Sequence, residues 1–140
     1  MANALFDSAR ETFLGGTAAA RIDWDADVIK LVLVDHGVDT PVVATDDFLD
    51  DIAAGARIAT SGAFGTKTTT AGVADAGDVT LLAVTGASVE SIVIYDDTPG
   101  TEATKQLIAF IDTATGLPFT PSGGDVTIQW DNGANKIFKL

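Results

Sequence analysis

One histidine, no cysteine and a scatter of paired aspartates are what this sequence offers to chemistry. His36 stands in VDHGVD, between Asp35 and Asp39, where an apolar run gives way to a turn. A serine hydrolase needs such an imidazole oriented by a carboxylate and set against a nucleophile. No nucleophile-elbow pattern occurs, so a solvated loop histidine is the favoured reading. The pairs Asp46-Asp47, Asp50-Asp51 and Asp96-Asp97 raise calcium, which takes about six to eight converging oxygens. They do not follow the alternating acidic loop of an EF-hand. Adjacent aspartates on a strand point to opposite faces, which also argues against a paired-carboxylate glycosidase. Solvated carboxylates at turns and helix starts are the simpler account. SGAFGTKT, residues 61–68, has too few residues between Gly62 and Gly65 for a phosphate loop, and Thr66 in place of a glycine before Lys67. A glycine-bent connection suffices there. The expectation is a protein without catalytic residues, metal or cofactor, and not an enzyme.

Charge narrows the partners. Twenty acidic residues against eight basic ones give a formal net charge of -12. The basic residues stand singly along the chain, and a phosphate-binding surface needs them clustered. Nucleic acid is therefore not an expected partner. No apolar run approaches the length needed to cross a bilayer, so no membrane partner is expected either. The first residues, MANALFDSARETFL, lack the continuous apolar stretch of a signal peptide, which implies synthesis in a cytoplasm. With no cysteine there is no disulfide framework, no thiolate metal site and no thiol nucleophile. A chain of 140 residues reads as one domain and buries roughly two-thirds of its unfolded surface, enough to fold without staples.

The elements that would position any site are mostly strands. Residues 3–14 have Leu5, Phe6, Ala9 and Phe13 at helical spacing, with Asn3 as a cap and Gly15-Gly16 as the stop. So short a helix is marginal alone and must pack on its own domain or on a neighbour; its own domain is slightly favoured. Residues 28–34, VIKLVLV, predict a strand. Residues 41–44 read as a short extended piece and 48–52 as a single helical turn ended by Gly55. Residues 57–64, 67–70, 79–84, 89–95 and 106–112 read as strands, the last two joined by DDTPGTEAT. At the C-terminal end, Val126, Ile128 and Trp130 alternate with Thr127 and Gln129. Asp131-Asn132-Gly133 supplies a turn and Phe138 and Leu140 a returning strand, together a hairpin. Deleting the last five residues is expected to unfold the isolated chain. GDVT occurs twice, at residues 77–80 and 124–127, and is read as shared turn chemistry and not as duplication. Strands recurring with Gly, Asp and Pro between them predict a mainly β fold: a β-sandwich or barrel-like antiparallel domain with a short N-terminal helix. The division expected is an N-terminal helix or arm over 1–21 and a single β-rich domain over 22–140. Trp130 is expected in the core, and Trp24, flanked by Asp23 and Asp25, as core cover or as an anchor for a partner.

Several stretches together resemble a family of small virion proteins of tailed bacteriophages: ALFDSARETFL with IDW after it, IKLVLVD, FLDDIAAGARIATSGAF, GVADAGDVT, IVIYDDT and LIAFIDTATGLPFTPSGGDVTIQWDNGANKIFKL. They run from the first residues to the last, and the case rests on their order and on the C-terminal GGDVTIQWDNGANKIFKL. The resemblance implies a capsid decoration (cement) protein on the outer surface of a virion. Its partners would be the major capsid protein and further copies of itself, as a trimer or cluster. A neck or tail component is the near competitor, and a tail-borne host-adhesion module binding carbohydrate or calcium is the alternative of another class. The resemblance transfers no catalytic residues. Candidate partner contacts are Leu5, Phe6 and Phe13, on an N-terminal arm that orders against a neighbouring subunit, and Trp24 just beyond it.

Overall fold

The computed structural model describes residues 3–16, 21–98 and 100–140. Its strands are β1 (Ala4–Leu5), β2 (Ile29–Val34), β3 (Arg57–Thr60), β4 (Val73–Ala74), β5 (Val79–Leu81), β6 (Ser91–Asp96), β7 (Leu107–Ile111), β8 (Val126–Ile128) and β9 (Phe138–Lys139); the helix α1 covers Asp7–Phe13. The fold is mainly β and antiparallel, with a short N-terminal helix, as the strand pattern implied. Five strands form one sheet in the order β1-β7-β6-β2-β3. β4 pairs with β9, and β5 with β8, as two separate ribbons. The residues between β3 and β6 supply β4 and β5, and those after β7 supply β8 and β9. Each ribbon therefore joins strands far apart in sequence.

The sheet's centre is the β-branched run that the sequence marked. β2 faces β6 in unbroken register from Ile29 opposite Asp96 to Val34 opposite Ser91. Every residue of β6 is buried, as is every residue of β2 except Lys30. Both faces of these strands are covered, so the alternation of a one-sided sheet is absent. β3 ends at Thr60, but the Ser61 amide donates to Leu31 O at 2.9 Å and the Phe64 amide to Ile29 O at 2.8 Å. The Leu31 amide donates to Ser61 Oγ at 3.0 Å, so a side chain stands in for a ladder acceptor.

Several expectations are corrected. Residues 3–14 are not all helix: Ala4 and Leu5 pair with Phe110 and Ala109 of β7, and the helix begins only at Asp7. Asn3 does not cap it. Its Oδ1 accepts from the Asp112 and Thr113 amides at 3.0 and 2.9 Å, and its Nδ2 donates to Thr113 O at 2.9 Å, locking β1 onto the end of β7. Tertiary pairing has overridden a helix too short to hold its own first turn. Gly15, at φ +85°, ends the helix as predicted.

The C-terminal hairpin does not form. β8 and β9 diverge after Trp130, one to β5 and the other to β4. Trp130 is drawn to the β5 side by two bonds, its amide to Asp78 Oδ1 and its Nε1 to Gly77 O, both 3.1 Å. Partners from residues 61–90 thus outcompete the local turn. Residues 41–44 are likewise a turn, with the Thr45 and Asp46 amides donating to Val42 O at 3.0 and 2.9 Å. Residues 67–70 contribute one isolated bridge, Thr68 to Asp75, before a short 3-10 turn at Thr70–Gly72.

Candidate functional site

Two aromatic systems tie the elements together. On one side of the sheet, Phe6 meets Phe110 edge to face at 6.5 Å and His36 stacks on Phe110 at 6.1 Å. Under the ribbons a chain of rings runs Phe13–Phe138–Trp24–Phe64–Trp130, with centroid distances of 6.0, 5.2, 6.0 and 5.5 Å. Trp24 and Trp130 each direct the indole N–H to a backbone carbonyl, Asp75 O at 3.0 Å and Gly77 O at 3.1 Å. Edge and tilted contacts of this kind add to what burial alone provides.

The second system borders an open groove of about 730 Å³. One wall is residues 125–131, which hold β8. The other is residues 113–117 with Phe119. Ile92 of β6 and Ile111 of β7 lie at its base, and Asn3, Lys136 and Ile137 complete the lining. No residue of β5, the one strand paired with β8 among the described residues, lines it, so the groove lies on the other side of β8. Ile111, Leu117, Phe119, Val126, Ile128, Trp130 and Ile137 are each partly buried and pack against the core while keeping a face toward the groove. Asp125 and Asp131 bracket the β8 wall at its two ends, and Lys136 is the one cation in the lining among the described residues. The Lys136 ammonium lies 3.7 Å from Asp75. Such a recess, apolar inside with acids at its ends, suits an apolar segment and offers little to a phosphate.

The sequence candidates fall elsewhere. Phe6 is fully buried and Trp24 is 4% exposed. Both side chains belong to the chain's own interior, so neither presents a contact surface; each packs where an aromatic ring closes a seam. Leu5 and Phe13 are partly buried, Leu5 on the edge strand and Phe13 against Phe138. Of the 1–21 segment, residues 1, 2 and 17–20 lie outside the described residues. The rest is joined to the sheet through β1, and Gln106 Nε2 donates to Thr12 Oγ1 at 2.8 Å across a buried contact. Phe138 takes part in the ring chain, but Leu140 is 62% exposed and completes no core.

His36 is held more firmly than a solvated histidine. Its Nε2 is 2.8 Å from Ser91 Oγ and its amide donates to Glu90 Oε2 at 2.8 Å. The Ser88 hydroxyl, helped by the His36 amide and ring, holds the Glu90 carboxyl below its ordinary range against the opposing effect of burial. Ser91 is fully buried, so its hydroxyl presents no surface to a substrate. Among the described residues no group of three or more His, Cys, Asp or Glu is disposed to hold a metal ion, and no helix is long and apolar enough to cross a membrane.

Of the acid pairs, Asp96-Asp97 has the most distinct chemistry. Asp96 is 2% exposed, and burial, reinforced by the neighbouring Asp27 carboxyl, raises its pKa despite bonds from Thr98. Burial also opposes ionisation of Asp97, but Lys105 and Lys30, each 2.7 Å away, outweigh it and hold that carboxyl below the usual range. Burial, with the Asp97 charge beyond it, pushes the Tyr95 phenol up to about 12. The Asp27–Asp96 contact was not legible in sequence, since the partners are far apart. Nor was the groove, whose walls and base come from three separate stretches, around residue 92, residues 111–119 and residues 125–131. No protein-family model matches the chain, and no curated protein matches it.

Proposed function

We propose that this chain is a structural protein of a tailed-bacteriophage virion: a capsid decoration protein that binds the outer surface of the major capsid protein shell and clamps neighbouring subunits. The observation that carries the reading is the coincidence of two features. The C-terminal stretch GGDVTIQWDNGANKIFKL, on which the resemblance leans most, is also the stretch that builds the β8 wall of the groove. A body closed by its own sheet and ring chain, with an apolar recess left on one side, suits adhesion to another protein. The acidic surface fits an outer face away from packaged DNA, because like charge repels. Copies are arranged on the shell as a trimer or cluster.

The test is to mix the purified chain with shells lacking decoration and sediment them. Saturable binding, with shells that then withstand more heat or chelator before breaking, supports the reading. Protein left in the supernatant at all concentrations defeats it.

A further inference from the structure

The groove has a feature that an ordinary apolar cleft lacks. Residues 126–130 line it without a break, although successive side chains of a strand point to opposite faces. The wall is therefore the strand's edge and not one of its faces. β8 pairs with β5 alone, in the register Val79 to Ile128, Thr80 to Thr127 and Leu81 to Val126, and among the described residues no other strand borders it. An unpaired edge is a template for a further strand. Here it is recessed beside an apolar base, and the three residues Val126–Ile128 offer about 10 Å of extended edge.

From these observations we infer that the groove receives an extended segment of another protein, which adds as a third strand along the open edge of β8. Its backbone bonds to β8, and its alternate apolar side chains rest on Ile92, Ile111 and Leu117. Its ends carry Lys or Arg, because Asp125 and Asp131 stand at the two ends of the edge. A second copy of this chain is a poor occupant: at a formal net charge of -12 it brings repulsion to an acidic rim. The inference does not depend on the virion reading, since any protein that exposes such a segment satisfies it.

The experiment titrates the full chain with a short capped peptide of alternating valine and threonine that has a lysine at each end. Amide resonances report the binding. Saturable shifts concentrated at residues 126–130, Ile92 and Ile111 are expected. Methylating alternate backbone nitrogens of the peptide abolishes them, and replacing its lysines by glutamates weakens binding by at least about tenfold. Asp131→Lys weakens the lysine-ended peptide by a similar factor, and Asp131→Asn by less, both with the spectrum of the folded chain retained. The inference is overturned if no saturable shift occurs, if the shifts map away from the groove, or if the methylated peptide binds equally well. It is also overturned if the chain dimerises through the same residues without peptide.

Discussion

Between Val32 at the centre of the sheet and Trp130 beside the groove, the means of holding a strand in place changes. Val32 is fully buried, faces Val93 on one side and Thr60 on the other, and belongs to a long backbone ladder of aliphatic side chains. Trp130 is partly buried and is fixed by a side-chain carboxylate, a carbonyl and a neighbouring ring. The sheet is a continuous backbone network. The ribbons are short pairings, pinned at their ends by side chains and underlain by a ring chain. Regions with few buried backbone bonds open at lower free energy than the global transition. The groove belongs to the ribbon region, the part with more freedom to adjust to a partner.

Ile94→Ala, in the sheet, is the largest expected effect, about 2–5 kcal/mol. Urea unfolding should show one cooperative transition at a lower midpoint. A local loss confined to the ribbons would contradict the comparison. Trp130→Ala should cost about 2 kcal/mol, roughly half the usual figure for a fully buried ring. Hydrogen exchange should quicken in β5 and β8 while β2 and β6 keep their protection. Uniform quickening would mean that the two regions are one cooperative unit.

The two GDVT copies give a sharper test. Thr80 and Thr127 sit opposite each other with Oγ1 atoms 3.0 Å apart. Asp78 accepts from the Trp130 amide and Asp125 from the Ala83 amide, so each copy pins the chain just beyond the other's strand. Asp78→Ala and Asp125→Ala should each cost about 1 kcal/mol, and by nearly equal amounts. A clear inequality would show that the local two-fold relation is geometric only.

Asp96→Asn and Asp97→Asn are expected to differ in sign. The folded chain holds the Asp96 proton more tightly than the unfolded chain does. That group favours folding below the ordinary aspartate range, and its contribution is lost as pH rises through its raised value. Asp97 is the reverse: its contribution is present above the ordinary aspartate value and is lost as pH falls through its lowered value. At neutral pH, Asp96→Asn should raise the melting temperature slightly and Asp97→Asn should lower it. Shifts of one sign for both would contradict the assignment.

What could be read from the sequence follows the same division. VIKLVLV and IVIY declare themselves because β-branched runs buried on both faces need no distant partner to be recognised as strands. The ribbons leave little trace because their strands are only two or three residues long and are pinned by side chains at their ends. Asp131-Asn132-Gly133 is a good turn signal, yet β8 and β9 bind strands from residues 61–90 instead of each other. Repetition of GDVT was the available clue, and its meaning was pairing between the copies. Phe6 is a surface candidate because apolar periodicity marks a face without saying what covers it, and Trp24 because flanking acids suggest solvent without showing where the ring turns. The groove left no periodic trace, since Ile92, Ile111, Leu117 and Val126 converge only in the fold.

The most direct test of the virion account is a count of this chain in purified particles by quantitative mass spectrometry, normalised to the major capsid protein. The account predicts a copy number on the scale of the shell's own subunits or their symmetry axes. Its absence from purified particles, or a number so small that it fits only a neck or tail, would contradict it.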